Sequence, residues 1–348
     1  MSLKVVNYTI GNIKKLMFDP TARDNCSEPF LFCQKYFKKK GGFFLTYPER
    51  SLNEVDWIVI WDARSIPPQN PYKRIYFYLK NFLYRRDSVN ILRVKNPKTK
   101  MALVMQEPYC VCPENWDREL HKIFDVIFTW DPTFIRSKKY KIFYLPCANF
   151  KKEKTLCYSD KKLICDISNN KIPIARPNAA KERFNIISFF DSNAPSQFDL
   201  FGSNWNPSII LWLWKKIKNQ KIFLNKVKNW HGPIVSKSSI YKKYKFALCI
   251  ENSIDKYGYI SNKIFDVMHS GCVPVYLGPP DRYRYLANGT FVDVHRFRTY
   301  SKLLQYLQKI NIKEYERFLL NIKKYLNSKM YAKYTQKEFS KNLFQALK

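Results

Sequence analysis

Acidic residues are scarce in this chain. Asp and Glu together number 28 against 61 Lys and Arg, which leaves a formal net charge of +33 over 348 residues. Such a balance favours anionic partners: nucleic acid, an anionic membrane surface or a phosphorylated small molecule. The basic residues are mostly lysine and are spread along the chain. Neither a helix-turn-helix nor an RNA-recognition signature is present, so no nucleic-acid partner is expected. Long apolar runs are also missing. The longest, Trp57 to Trp61 and Ile209 to Trp214, fall far short of the roughly 20 residues that a membrane-spanning helix needs. The opening MSLKVVNYTIGNIKKLMF has no continuous apolar core of the kind a signal peptide requires. The expectation is a cytoplasmic chain whose membrane contact, if any, is peripheral and runs through its basic C-terminal helix. The nine cysteines form no CxxC pair and no Cys/His array with zinc spacing, which points to a reducing compartment and to no metal centre.

What is present is globular. Hydrophobic residues make up 46% and aromatics 17% of the chain, enough to bury a core in two domains. Its organising stretch is YKKYKFALCIENSIDKYGYISNKIFDVMHSGCVPVYLGPP, residues 241–280. Phe246 to Ile250 is an apolar run of buried-strand length, and Val273 to Leu277 is a second. Between them Ser261 reads as an N-cap, with Ile264, Phe265, Val267 and Met268 as the apolar face of a short helix. Gly271 closes that helix. Asn252, Tyr259, Asn262 and Lys263 gather between the end of the first strand and the first turn of the helix, where open α/β sheets bind ligands and a helix N-terminus attracts phosphate.

This stretch resembles the donor-binding motif of the α-1,3/4-fucosyltransferases, family 10 of the glycosyltransferases. The match rests on Tyr244, Lys245, Phe246, Glu251, Asn252, Ser253, Tyr259, Ile260, Ser261, Lys263, Gly271, Pro274 and Gly278. Asn262 stands where the family has glutamate. The resemblance implies an α/β fold of GT-B type, with two Rossmann-like domains facing across a cleft. It also implies GDP-fucose as donor, an oligosaccharide or glycoconjugate acceptor, and inverting transfer of fucose. No visible cluster requires a metal, although a divalent ion is possible. The family's base is a carboxylate at the end of an N-domain strand, and Glu107 in LVMQEPY fits it. Lys263 would hold the diphosphate, and Asn252, Tyr259 and Asn262 would contact the nucleotide. The family also carries an arginine soon after the first strand of the C-terminal domain, near a Ser-Asn pair. With Asn185 to Phe190 read as that strand, the pair is Ser192-Asn193 and no arginine follows. Arg183, Arg282 or a lysine would then have to substitute, and a catalytically impaired homologue remains the alternative.

Expected boundaries are residues 1–165 for an acceptor-side α/β domain, 180–330 for the donor domain and 331–348 for a basic helix. A Lys-, Asn- and Pro-containing link spans about 151–181.

Overall fold

The computed structural model describes residues 2–8, 17–47, 54–65, 72, 96–148, 156–217, 220–224 and 226–348. The chain divides into two compact units: Met1–Ala148 together with Lys333–Lys348, and Asn149–Ala332. The first residues of the expected link lie outside the described residues.

The first unit is built on six parallel strands: β1 (Lys4–Tyr8), β2 (Phe43–Thr46), β3 (Trp57–Trp61), β4 (Lys100–Met105), β5 (Val126–Thr129) and β6 (Tyr140–Ile142), in the order β2-β1-β3-β4-β5-β6. Strand residues alternate between two buried faces. Val5, Trp57, Val59, Trp61, Ala102, Val104 and Phe128 share one apolar cluster. Val6, Ile58, Ile60, Met101, Leu103, Met105 and Ile127 share the other. Both faces are covered, so these strands read as continuous apolar runs. Helix α1 (Glu28–Lys39) buries Cys33 and Phe37 on the first face. The short helix α2 (Arg118–His121) starts at Asp117, whose side chain accepts the N–H groups of Glu119 and Leu120.

The second unit has five parallel strands: β7 (Lys162–Ile167), β8 (Phe198–Phe201), β9 (Tyr244–Ile250), β10 (Val273–Leu277) and β11 (Val292–Asp293), in the order β11-β10-β9-β7-β8. Its helices are α3 (Ala180–Asn193), α4 (Ile209–Ile217), α5 (Lys237–Tyr241), α6 (Asn262–His269), α7 (Tyr300–Lys309), α8 (Ile312–Leu326) and α9 (Lys329–Ala332). The motif at 241–280 folds as read, with strand β9, helix α6 capped by the Ser261 side chain, and strand β10.

Three readings are corrected. The expected link contains β7, which lies inside the sheet and pairs with β8 on one side and β9 on the other. Asn185 to Phe190 is not a strand but the middle of α3. The run IISFF suits either element by composition, but its buried positions, Arg183, Ile186, Ile187, Phe190 and Asp191, recur with helical period. The last helix, α10 (Gln336–Leu347), belongs to the first unit. Phe339, Leu343 and Leu347 lie on one face of it and are buried in the same cluster as Phe37 and Trp61. Its apolar side is spent on the core and is not free for a membrane.

Candidate functional site

Strand order locates the site in the second unit. β7 has its successor β8 on one side and β9 on the other, so the connections leave in opposite directions between β7 and β9. That is the switch point where open parallel sheets bind ligands beyond the carboxyl ends of their strands.

At this point β9 delivers Glu251, which is fully buried. Its carboxylate accepts the Ser261 backbone N–H at 2.9 Å, the Ser261 hydroxyl at 2.6 Å and the Tyr276 hydroxyl at 3.1 Å. The motif's glutamate thus ties the start of α6 to β9 and β10. Lys263, in the first turn of α6, is thereby aimed back at the strand ends. Its Nζ donates to the Ile250 carbonyl at 2.8 Å and to Asn252 Oδ1 at 3.3 Å, and lies 3.6 Å from Glu251 Oε2. Arg183 comes from the first turn of α3. Its Nη2 donates to the same Ile250 carbonyl at 3.2 Å and to the same Asn252 Oδ1 at 3.0 Å. Two cations therefore converge on one amide oxygen at the switch point.

A further counter-charge, besides Glu251, is Asp166, buried near the end of β7. Burial pushes its carboxyl up to about 6, against the hydrogen bond from the Ser168 hydroxyl and the fields of Arg183 and Lys263. The folded value lies above the unfolded one. The stability contributed by the protonated form is thus fully present below about pH 4 and is lost as pH rises through about 6. Neutralising Asp166 also leaves the two cations less compensated. An anion bound there should gain affinity as pH falls from 7.5 to 5.5, and an Asp166→Asn chain should lose that extra gain. Parallel titrations of GDP into both chains check this, because the ligand's own protonation is common to both. Equal pH dependence would show that Asp166 does not act on the site.

A second Ser-Asn pair follows the first strand of this unit. β7, the first strand of this unit, runs directly into Ser168-Asn169, and Asn169 Oδ1 accepts the Ser203 N–H at 2.8 Å. The turn after β8 approaches so closely that a Cβ on Gly202 would sit 1.9 Å from the Ser168 carbonyl oxygen. Arg183 follows this pair. Ser192 and Asn193 are instead exposed at the far end of α3, about 14 Å along the axis from Arg183 at 1.5 Å per residue. Asn193 Nδ2 closes on its own helix at the Phe189 carbonyl. The site does not include them. The signal was available in the sequence: LICDISN is an apolar strand followed by Ser-Asn, but its flanking lysines gave it the look of a linker. Of the remaining predicted residues, Tyr259 is buried in the loop and Asn262 is exposed at the first position of α6.

A cavity of about 630 Å³ adjoins the cluster. Its lining includes Glu182, Phe189, Ile254, Leu277, His295 and Tyr300. Glu182 precedes Arg183, Ile254 lies two residues after Asn252, and the Leu277 carbonyl accepts the Glu251 N–H. The Tyr300 hydroxyl donates to Glu182 Oε2 at 2.9 Å.

In the first unit Glu107 lies just beyond β4, half-buried. Its turn is held rigidly. Asp62, at a φ of 59°, accepts the N–H groups of Gln106 and Glu107 at 2.9 Å each and the Asn115 amide at 2.7 Å. Asn115 Nδ2 also donates to the Glu107 carbonyl, and Trp130 Nε1 to the Gln106 carbonyl. Burial is the main force pushing the Asp62 carboxyl up, against these bonds and Arg64. Arg64 itself is raised: burial alone would lower it, and Cys112, Asp62 and Glu107 nearby reverse that. Among the described residues no group of three or more His, Cys, Asp or Glu is placed to hold a metal ion, and no helix is long and apolar enough to cross a membrane.

Residues 215–346 match the family model described as glycosyltransferase family 10 (fucosyltransferase), C-terminal. The α-(1,3)-fucosyltransferase FucT of Helicobacter pylori is 32% identical over 78 residues, covering 22% of this chain and 16% of that protein. The mouse 4-galactosyl-N-acetylglucosaminide 3-α-L-fucosyltransferase 9 is 29% identical over 148 residues, covering 40% and 37%. The chain thus matches well under half the length of these curated relatives. Among solved structures, an α1,3-fucosyltransferase with GDP-fucose superposes with a TM-score of 0.55 at 15% identity, over 99% of this chain and 90% of that one. At that identity the likeness establishes the fold, two parallel-sheet units of GT-B type. Over residues 215–346 the chain is similar to the C-terminal domain of glycosyltransferase family 10, the fucosyltransferases.

Proposed function

We propose that this protein transfers L-fucose from GDP-fucose to a hydroxyl of an oligosaccharide or glycoconjugate acceptor, with inversion, as an α-1,3-type fucosyltransferase. The observation that carries the reading is the convergence of Arg183 and Lys263 on Asn252 at the β7/β9 switch point. Both cations lie where a diphosphate would meet the N-terminus of α6. Asn252 and Tyr259 contact the nucleotide, and the adjoining cavity, of a size for a small ligand, takes the nucleoside. Glu107 removes the acceptor proton as the hydroxyl attacks the sugar from the face opposite the diphosphate. Arg183 and Lys263 stabilise the negative charge that gathers on the departing GDP.

Calorimetric titration with GDP and GDP-fucose tests this. The parent chain should bind both. Lys263→Ala should bind about 10- to 100-fold more weakly, the worth of one charge-assisted phosphate contact. Absence of binding by a folded parent chain would overturn the proposal. A second reading, a catalytically impaired homologue that binds nucleotide or glycan, rests on Asn262, whose neutral amide replaces a family carboxylate. Arg183, seated beside Lys263, supplies a second cation there and argues against that reading. Donor binding without any transfer would favour it.

A further inference from the structure

We infer that helix α4 is a docking element for an anionic lipid surface, independent of the reaction assigned to the chain. Its sequence, IILWLWKKI, is the most apolar of the described helices, yet none of its side chains is buried. Among the described helices of eight or more residues it alone has none. Ile210, Leu213, Trp214 and Ile217 fall at helical spacing on one face and are 80%, 46%, 46% and 82% exposed. A stripe of this kind normally faces a core; here it faces outward. Leu224 and Val235, in the segment that follows, are exposed as well.

The chemistry of the surroundings selects the occupant. Between Leu200 and Ile250 there are ten lysines and no acidic residue. Lys215 lies 5.5 Å from the Trp214 ring and Lys216 5.1 Å from the Trp212 ring, so each indole sits beside an ammonium group. Apolar and indole side chains flanked by lysine suit the boundary between acyl chains and anionic headgroups. Each lysine near such a surface adds electrostatic attraction that salt weakens. A protein partner would have to be acidic and apolar over the same patch, whereas a lipid surface presents both properties everywhere. The basic C-terminal segment cannot serve in this way, because the apolar side of α10 is buried in the first unit. α4 begins eight residues beyond β8, at the carboxyl end of the sheet where Arg183 and Lys263 lie.

The test uses the full chain and sedimentation with vesicles of phosphatidylcholine alone or mixed with phosphatidylglycerol. Binding is expected to the mixed vesicles, to fall with added salt, and to be weak without the anionic lipid. The double substitution Ile210→Glu with Ile217→Glu should lower partitioning about tenfold or more. Its melting temperature and GDP titration should stay unchanged, since both positions are exposed and outside the cation cluster. Several results would overturn the inference: no binding to anionic vesicles, or undiminished binding by the double variant. A concentration-dependent dimer abolished by the same substitutions would assign the face to a second copy. Slow amide exchange in α4 of the lipid-free monomer would show that another segment of the chain covers it.

Discussion

A Glu107→Gln chain is expected to bind GDP-fucose as tightly as the parent and to transfer fucose about 10²- to 10⁴-fold more slowly. Glutamine keeps the length and shape of the side chain. The backbone of the turn is fixed by Asp62 and Asn115, so the turn keeps its shape when the substitution removes the proton acceptor. The loss should fall on kcat, with donor affinity by calorimetry and acceptor KM nearly unchanged. Activity within about threefold of the parent would remove Glu107 from the mechanism. A loss of donor affinity would show that the carboxylate acts on binding, not proton transfer.

The largest stability effect should come from Glu251→Ala, about 3–5 kcal/mol. The carboxylate is fully buried and is the acceptor for three donor groups, the Ser261 N–H, the Ser261 hydroxyl and the Tyr276 hydroxyl. Alanine leaves all three without that partner in a buried site, and it removes the anion 3.6 Å from Lys263. The denaturant midpoint of the second unit should fall and GDP binding should weaken with it, because the first turn of α6 loses its tether to β9. A shift below about 1 kcal/mol would mean that the cap at Ser261 holds the turn alone. Glu251→Gln should lie between, since its oxygen still accepts while its NH₂ confronts a donor.

The donor motif was legible because its constraints are local. Strand length, the Ser261 cap and the glycine that ends α6 are written in consecutive residues, and the structure keeps each within a residue or two. Lys263 and Asn252 could be placed from that stretch alone. Arg183 could not. Its partner Asn252 is 69 positions away, and finding it required knowing that Lys162–Ile167 is a strand and that Asn185–Phe190 is helical. Short apolar runs with aromatic and β-branched residues satisfy either period, and only the packing of Ile186, Ile187 and Phe190 against the sheet decides between them.

The sequence by itself determined the family resemblance, the α/β class, the basic character and the chemistry at the start of α6, since each follows from residue identity or short-range spacing. Tertiary structure decided what depends on neighbours distant in the chain. It put β7 inside its sheet, beside β9, so that Asp166 and Arg183 meet Lys263. It turned the C-terminal helix into the first unit's core and left the apolar face of α4 outside any core. Burial is a property of the assembled surface, and two helices with similar apolar patterns met opposite fates because only one found a sheet to cover.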